Sequence, residues 1–128
     1  MKGGIVALCC ENSGWKALAS LGDDPVLDGV EAVRLPCSGK AETGMMLKIL
    51  EKGAAGVLVL GCPKDDCTFL RGSARAQKRV AVARAALKDA GVGEERVRME
   101  FISSVDTPRL AEAIRAMKAA LEAHEGKA

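Results

Sequence analysis

Tyrosine is absent from this 128-residue chain, Trp15 is its single tryptophan, and phenylalanine occurs twice. Base-stacking platforms and aromatic-walled flavin sites are therefore poorly supplied. The single histidine, His124, lies in the terminal tail, away from any motif, so neither a histidine metal set nor a histidine base is expected. Net charge is only +2, which gives no global field for nucleic acid. No apolar run reaches membrane-spanning length; VALCC and GVLVLGC are both too short. The opening MKGGIVALCC lacks the length and cleavage site of a signal peptide and reads as a first strand. A cytoplasmic location is the expectation. Neither a GxGxxG fingerprint nor a P-loop is present.

What the chain does have is apolar residues, 48% of the total, enough for a real core in one domain spanning 1–128. Four short apolar runs, Gly4–Cys9, Val30–Leu35, Gly56–Leu60 and Val97–Ser103, read as strands. Helical patterns lie between them. Ser13 is placed to cap a short helix through Leu21, with Gly22 at its end. Thr43–Lys52 carries Met46, Leu47 and Leu50 on one side, and Ser73–Ala90 repeats Ala76, Val80, Ala83, Leu87 and Ala90. Thr107 is the expected cap of the last helix, with Pro108 at its first position and a face of Leu110, Ile114, Met117 and Leu121. Residues 23–29 read as a loop, and 122–128 as a frayed end. This alternation predicts an α/β fold: a small flavodoxin-like (Rossmann-like) parallel sheet of four strands, order 2-1-3-4, with flanking helices.

Five cysteines is a heavy load for a cytoplasmic domain. Structural disulfides are disfavoured there, and an odd count leaves one thiol over. Their placement is more informative. Cys9 and Cys10 end the first strand, Cys37 follows the second, Cys62 ends the third and Cys67 lies in the loop after it. All five fall at the carboxyl edge of the expected sheet, where open α/β folds bind ligands. Neighbouring strand residues point to opposite faces, so one of Cys9 and Cys10 is expected to be a packed spectator.

Four thiolates from such loops suit a zinc site or an iron–sulfur cluster, and four cysteines hold either 2Fe–2S or 4Fe–4S. The C-x4-C pair Cys62–Cys67 occurs in plant-type 2Fe–2S proteins, and zinc pairs also reach that spacing. Because the chain can build a core without a metal, zinc is not needed as a staple, and redox work is favoured. Ser38, Gly39 and Gly61 would let backbone N–H groups approach sulfur, or they simply satisfy turns. A third reading makes Cys10 a nucleophile in the loop running to Lys16; a cysteine phosphatase loop wants arginine there, and Cys37, Cys62 and Cys67 stay unexplained. A basic run, Arg71, Arg75, Lys78 and Arg79, has no acid between its members. It reads either as a solvated helix face or as a docking surface for an acidic partner.

The segments CC at 9–10, CSGK at 37–40, GCPKDDC at 61–67, RGSARAQKRV at 71–80 and EFISS at 100–104 together resemble the delta subunit of methyl-viologen-reducing hydrogenase. That resemblance covers nearly the whole chain. It implies a 2Fe–2S protein, an electron-transfer subunit rather than a self-contained enzyme. Such a protein relays electrons between a hydrogenase or formate dehydrogenase and the flavin-containing A subunit of heterodisulfide reductase. Many members carry a further cysteine where this chain has Ser13. The ligand set expected here is Cys10, Cys37, Cys62 and Cys67, with Cys9 in reserve, because Cys10 stands nearer the crevice.

Overall fold

A computed structural model of the chain describes residues 4–11, 14–22, 24–35, 42–61, 72–103 and 105–126, with backbone alone for 72–74 and 124–126. Four strands, β1 (Ile5–Cys10), β2 (Val30–Leu35), β3 (Gly56–Gly61) and β4 (Val97–Phe101), alternate with four helices, α1 (Gly14–Leu21), α2 (Thr43–Glu51), α3 (Gly72–Asp89) and α4 (Thr107–Gly126). Every strand pairing is parallel, and the order is β2-β1-β3-β4. This is the α/β architecture and strand order expected from the alternation of apolar runs.

The sheet separates two cores, and strand alternation decides which residue enters which. Ile5, Ala7, Cys9, Leu58 and Leu60 face α1 and α4, meeting Ala17, Leu110, Ile114 and Met117. Leu8, Val57, Val59 and Val97 face α2 and α3, meeting Met46, Leu50, Ala76, Val80 and Ala83. Central strand β3 is buried throughout, which is why its sequence is a continuous apolar run rather than an alternating one. The helix stripes expected from sequence are the stripes that pack, except that Ala90 lies exposed just past the end of α3 at Asp89.

Boundaries differ in instructive ways. β1 extends one residue further than expected, so Cys10 is the last residue of the strand and not part of the following loop. β4 ends at Phe101 rather than at Ser103. The cap of α4 is Asp106, not Thr107: its Oδ1 accepts from Arg109 N at 3.3 Å, and its carbonyl accepts from Leu110 N at 3.2 Å. A carboxylate at the N-cap also meets the positive end of the helix. The C-terminal segment expected to fray is helical as far as Gly126. The loop after α1 contains a short 3-10 turn, Pro25–Leu27, capped by Asp24 Oδ1 accepting from Val26 N at 2.9 Å. α1 stops at Gly22, whose φ of 57° lies in the left-handed region that glycine enters freely.

Candidate metal centre

The carboxyl edge of the sheet is built by three strand ends in one row. Cys10 is paired with Leu35, and Cys9 with Leu60, which sets Gly61 beside Cys10. Glu11 N donates to Leu35 O at 2.8 Å and Ile102 N to Gly61 O at 2.9 Å, so the ladder holds to the last residue of each strand. Rigid strand ends suit a site whose ligands must keep fixed separations. Cys37 follows the end of β2 by two residues, and Cys62 follows the end of β3 by one. Cys37, Cys62 and Cys67 themselves lie outside the described residues, as do Ser13, Ser38, Gly39 and Arg71.

The two adjacent cysteines have opposite surroundings. Cys9 belongs to the core against α1 and α4, is fully buried, and its Sγ donates to Ala7 O at 3.5 Å. Burial pushes its thiol up to about 12; Cys10 adds to the rise, and a backbone hydrogen bond at Val33 opposes it. The Cys9 Sγ is turned into the apolar core against α1 and α4, away from the face that Cys10 presents. Cys10 points to the other face, in line with Val6 and Leu8. It is buried too, although among the described residues it is grouped with neither of the two apolar clusters. On its face the neighbouring residue of β3, Gly61, offers no side chain. Among the described residues no three His, Cys, Asp or Glu side chains gather into a metal-binding group. A metal site at this edge would need Cys10 to be joined by thiols from the segments after β2 and β3.

Helix starts around this edge are tied down. The first residue of α1, Gly14, packs against Leu60 at the end of β3. Thr43 Oγ1, at the start of α2, donates to Arg79 O in α3 at 2.9 Å, joining the helices that follow Cys37 and Cys67. Lys16 is exposed on α1. Two features are not foreshadowed by the sequence pattern. The guanidinium of Arg34 sits 5.5 Å from the ring centroid of half-buried Trp15, a cation–π contact beside the end of β2. A groove of about 700 Å³ opens between β2 and α2, lined by Val6, Val33, Ile49 and Lys52, but it reaches Gly4 and Gly29 at the amino edge, away from the cysteines. No apolar periodicity could have announced either feature, because both join residues distant in sequence.

Of the basic run, Arg75 and Lys78 are exposed and Arg79 is half-buried on α3. His124 lies on the last turns of α4. No helix among the described residues is long and apolar enough to cross a membrane.

The described fold is a parallel α/β sheet whose strand ends lead in sequence to the cysteines. Comparison with known proteins makes this specific: the family described as methyl-viologen-reducing hydrogenase, delta subunit, matches residues 5–124, and the chain belongs to that family. The vhu iron-sulfur subunit of the F420-non-reducing hydrogenase of Methanocaldococcus jannaschii is 34% identical over 120 residues, covering 92% of this chain and 90% of that protein. The corresponding F420-non-reducing hydrogenase iron-sulfur subunit of Archaeoglobus profundus is 39% identical over 83 residues, 65% of this chain and 61% of that protein. A different setting appears in the A subunit of the ferredoxin:CoB-CoM heterodisulfide reductase of Methanosarcina mazei, 33% identical over 85 residues. Those residues are 66% of this chain but only 11% of that much longer protein.

Proposed function

We propose that the chain is a single-domain 2Fe–2S electron-transfer subunit, working in the cytoplasm. It passes electrons from a hydrogenase or formate dehydrogenase-type donor to the flavin-containing A subunit of a heterodisulfide reductase-like complex. The observation that carries this reading is the position of Cys10: buried at the end of β1, on the face opposite Cys9, beside Gly61, and level with the strand ends that lead to Cys37 and Cys62. The names of the relatives support both halves of it, as hydrogenase iron–sulfur proteins and as part of a heterodisulfide reductase.

Cys10, Cys37, Cys62 and Cys67 would hold the cluster, which when bound supplies a one-electron carrier. A set of four thiols fits such a cluster, and the remaining work of the chain is placement. Cys9 packs the core directly beneath and fixes the end of β1. Gly14 seats α1 on β3, and Thr43 couples α2 to α3, so the elements that flank the other cysteines in sequence form a braced frame. Burial of Cys10 keeps water from one side of the site and raises the strength of any N–H to sulfur hydrogen bond there.

The test is a set of single substitutions, each purified without oxygen, with iron and acid-labile sulfide counted on each. Cys10→Ala, Cys37→Ala, Cys62→Ala and Cys67→Ala should each lose iron, while Cys9→Ala keeps it. Retention of iron by Cys10→Ala together with its loss in Cys9→Ala would reverse the assignment of the two neighbours.

A further inference from the structure

Helix α3 is the positive pole of the molecule. It carries Arg75, Lys78, Arg79, Arg84 and Lys88 against Asp89 alone, so its charge exceeds the +2 of the entire chain. Arg84 is used internally: it donates to Val97 O at 2.7 Å and faces Glu94 at 3.9 Å. Arg75 and Lys78 are different. Both are exposed, and neither has an acidic partner among the described residues. They also stand in the amino-terminal half of the helix, whose first turn contains no acid. Neither cation gains from the helix dipole at that end, so helix stability does not account for them.

The same outward stripe turns apolar one turn later. Arg75, Lys78, Val82 and Ala85 recur at steps of three and four, opposite the buried Ala76, Val80, Ala83 and Leu87. Val82 is 58% exposed, and Ala81, Ala85 and Ala86 around it are exposed as well. Small neighbours let another backbone approach Val82 closely. A charged end joined to an aliphatic end has the make-up of an interface: an apolar centre beside a polar margin that steers encounter. Nucleic acid would match the cations and leave the aliphatic half without a counterpart. α3 begins five residues after Cys67 in the sequence, so its basic half is the part of the helix nearest in the chain to the candidate metal centre.

We propose that the outer stripe of α3, Arg75–Lys78–Val82–Ala85, docks an acidic protein of the same assembly. That partner presents carboxylates to Arg75 and Lys78 and an aliphatic patch to Val82. The proposal rests on the reading of this chain as one component of a larger assembly, not on the type of cluster.

The test uses the full chain, tagged and purified without oxygen with whatever assembles on it in the source cells. Lysine acetylation is read by mass spectrometry in the assembly and in the chain alone. Lys78 should be protected in the assembly. Arg75→Glu and Val82→Ser should each retain about tenfold less partner, whereas Arg115→Glu, the same charge change on exposed α4, should retain it in full. All variants should keep the wild-type circular dichroism and iron content. Equal acetylation of Lys78 in both states overturns the proposal. So does equal loss of partner in Arg75→Glu and Arg115→Glu, or a chain that purifies without any partner. An iron-free wild-type chain would sink the cluster reading alone, and protection of Lys78 would still decide the docking surface.

Discussion

A Cβ placed on Gly14 would lie 2.6 Å from Leu60 Cβ and 3.0 Å from Leu60 O, so the first turn of α1 rests directly on the end of β3. Part of that contact is backbone and has nowhere to go. Overpacking of this kind costs about 1–3 kcal/mol, against about 1 kcal/mol gained from alanine's better helix propensity. Gly14→Ala should therefore lower stability in a urea melt. Gly44 is the internal control: it lies in α2, and a Cβ there would meet nothing within 4 Å. Gly44→Ala should raise stability by about 0.5 kcal/mol. If both substitutions stabilise, α1 does not sit as tightly as described.

Cys9 and Cys10 should separate cleanly in their effects. Cys9→Ala removes one buried, methyl-sized group from the core and should cost about 1 kcal/mol, as small core truncations do. Its thiol should resist alkylation in the native protein and react only on unfolding. Rapid native-state labelling of Cys9, followed by mass spectrometry, would contradict its place in the core.

Arg96 ties the turn before β4 to the entry of β3. Its Nε donates to Ala55 O and its guanidinium to Ala54 O, both at 3.0 Å. Hydrogen bonds from a charged donor contribute about 1.5–3 kcal/mol, so Arg96→Ala should destabilise by about 2 kcal/mol. Arg96→Lys should recover only part, because an ammonium lacks the planar fork that reaches two carbonyls at once. Iron content should not change in either variant, since the contact lies at the amino edge of the sheet. Full stability of Arg96→Lys would show that charge alone matters there.

Lys118 makes a comparable clamp on the opposite side. Its Nζ donates to Val26 O at 2.6 Å and Asp28 O at 2.9 Å, holding the turn before β2 against α4. Lys118→Met keeps the stem and drops the donors. It should lose about 1–2 kcal/mol in thermal or urea unfolding. No loss would mean that water replaces the lysine at those carbonyls.

The sheet was legible because its strands are dense in Val, Ile and Leu, and because β3, covered on both faces, is continuous rather than alternating. The helices were legible from their stripes. What escaped was local competition and distant pairing. Asp106 displaced Thr107 as cap of α4, a choice between two good capping residues that geometry makes and composition does not. Arg34 over Trp15 and the groove at Val33 depend on strand register. At the site, alternation along β1 already required Cys9 and Cys10 to face opposite ways, and the fold adds which core claims Cys9. Cys37, Cys62 and Cys67 are placed by sequence alone, in the segments after β2 and β3.

The central claim is the cluster itself. The most direct measurement is iron, zinc and acid-labile sulfide on one anaerobic sample, with EPR before and after reduction by dithionite. A 2Fe–2S electron carrier predicts iron and sulfide in a two-to-two ratio, no zinc, and a signal that appears only on one-electron reduction. A single zinc with no sulfide and no signal would contradict it, and would leave a structural metal site where an electron carrier is claimed.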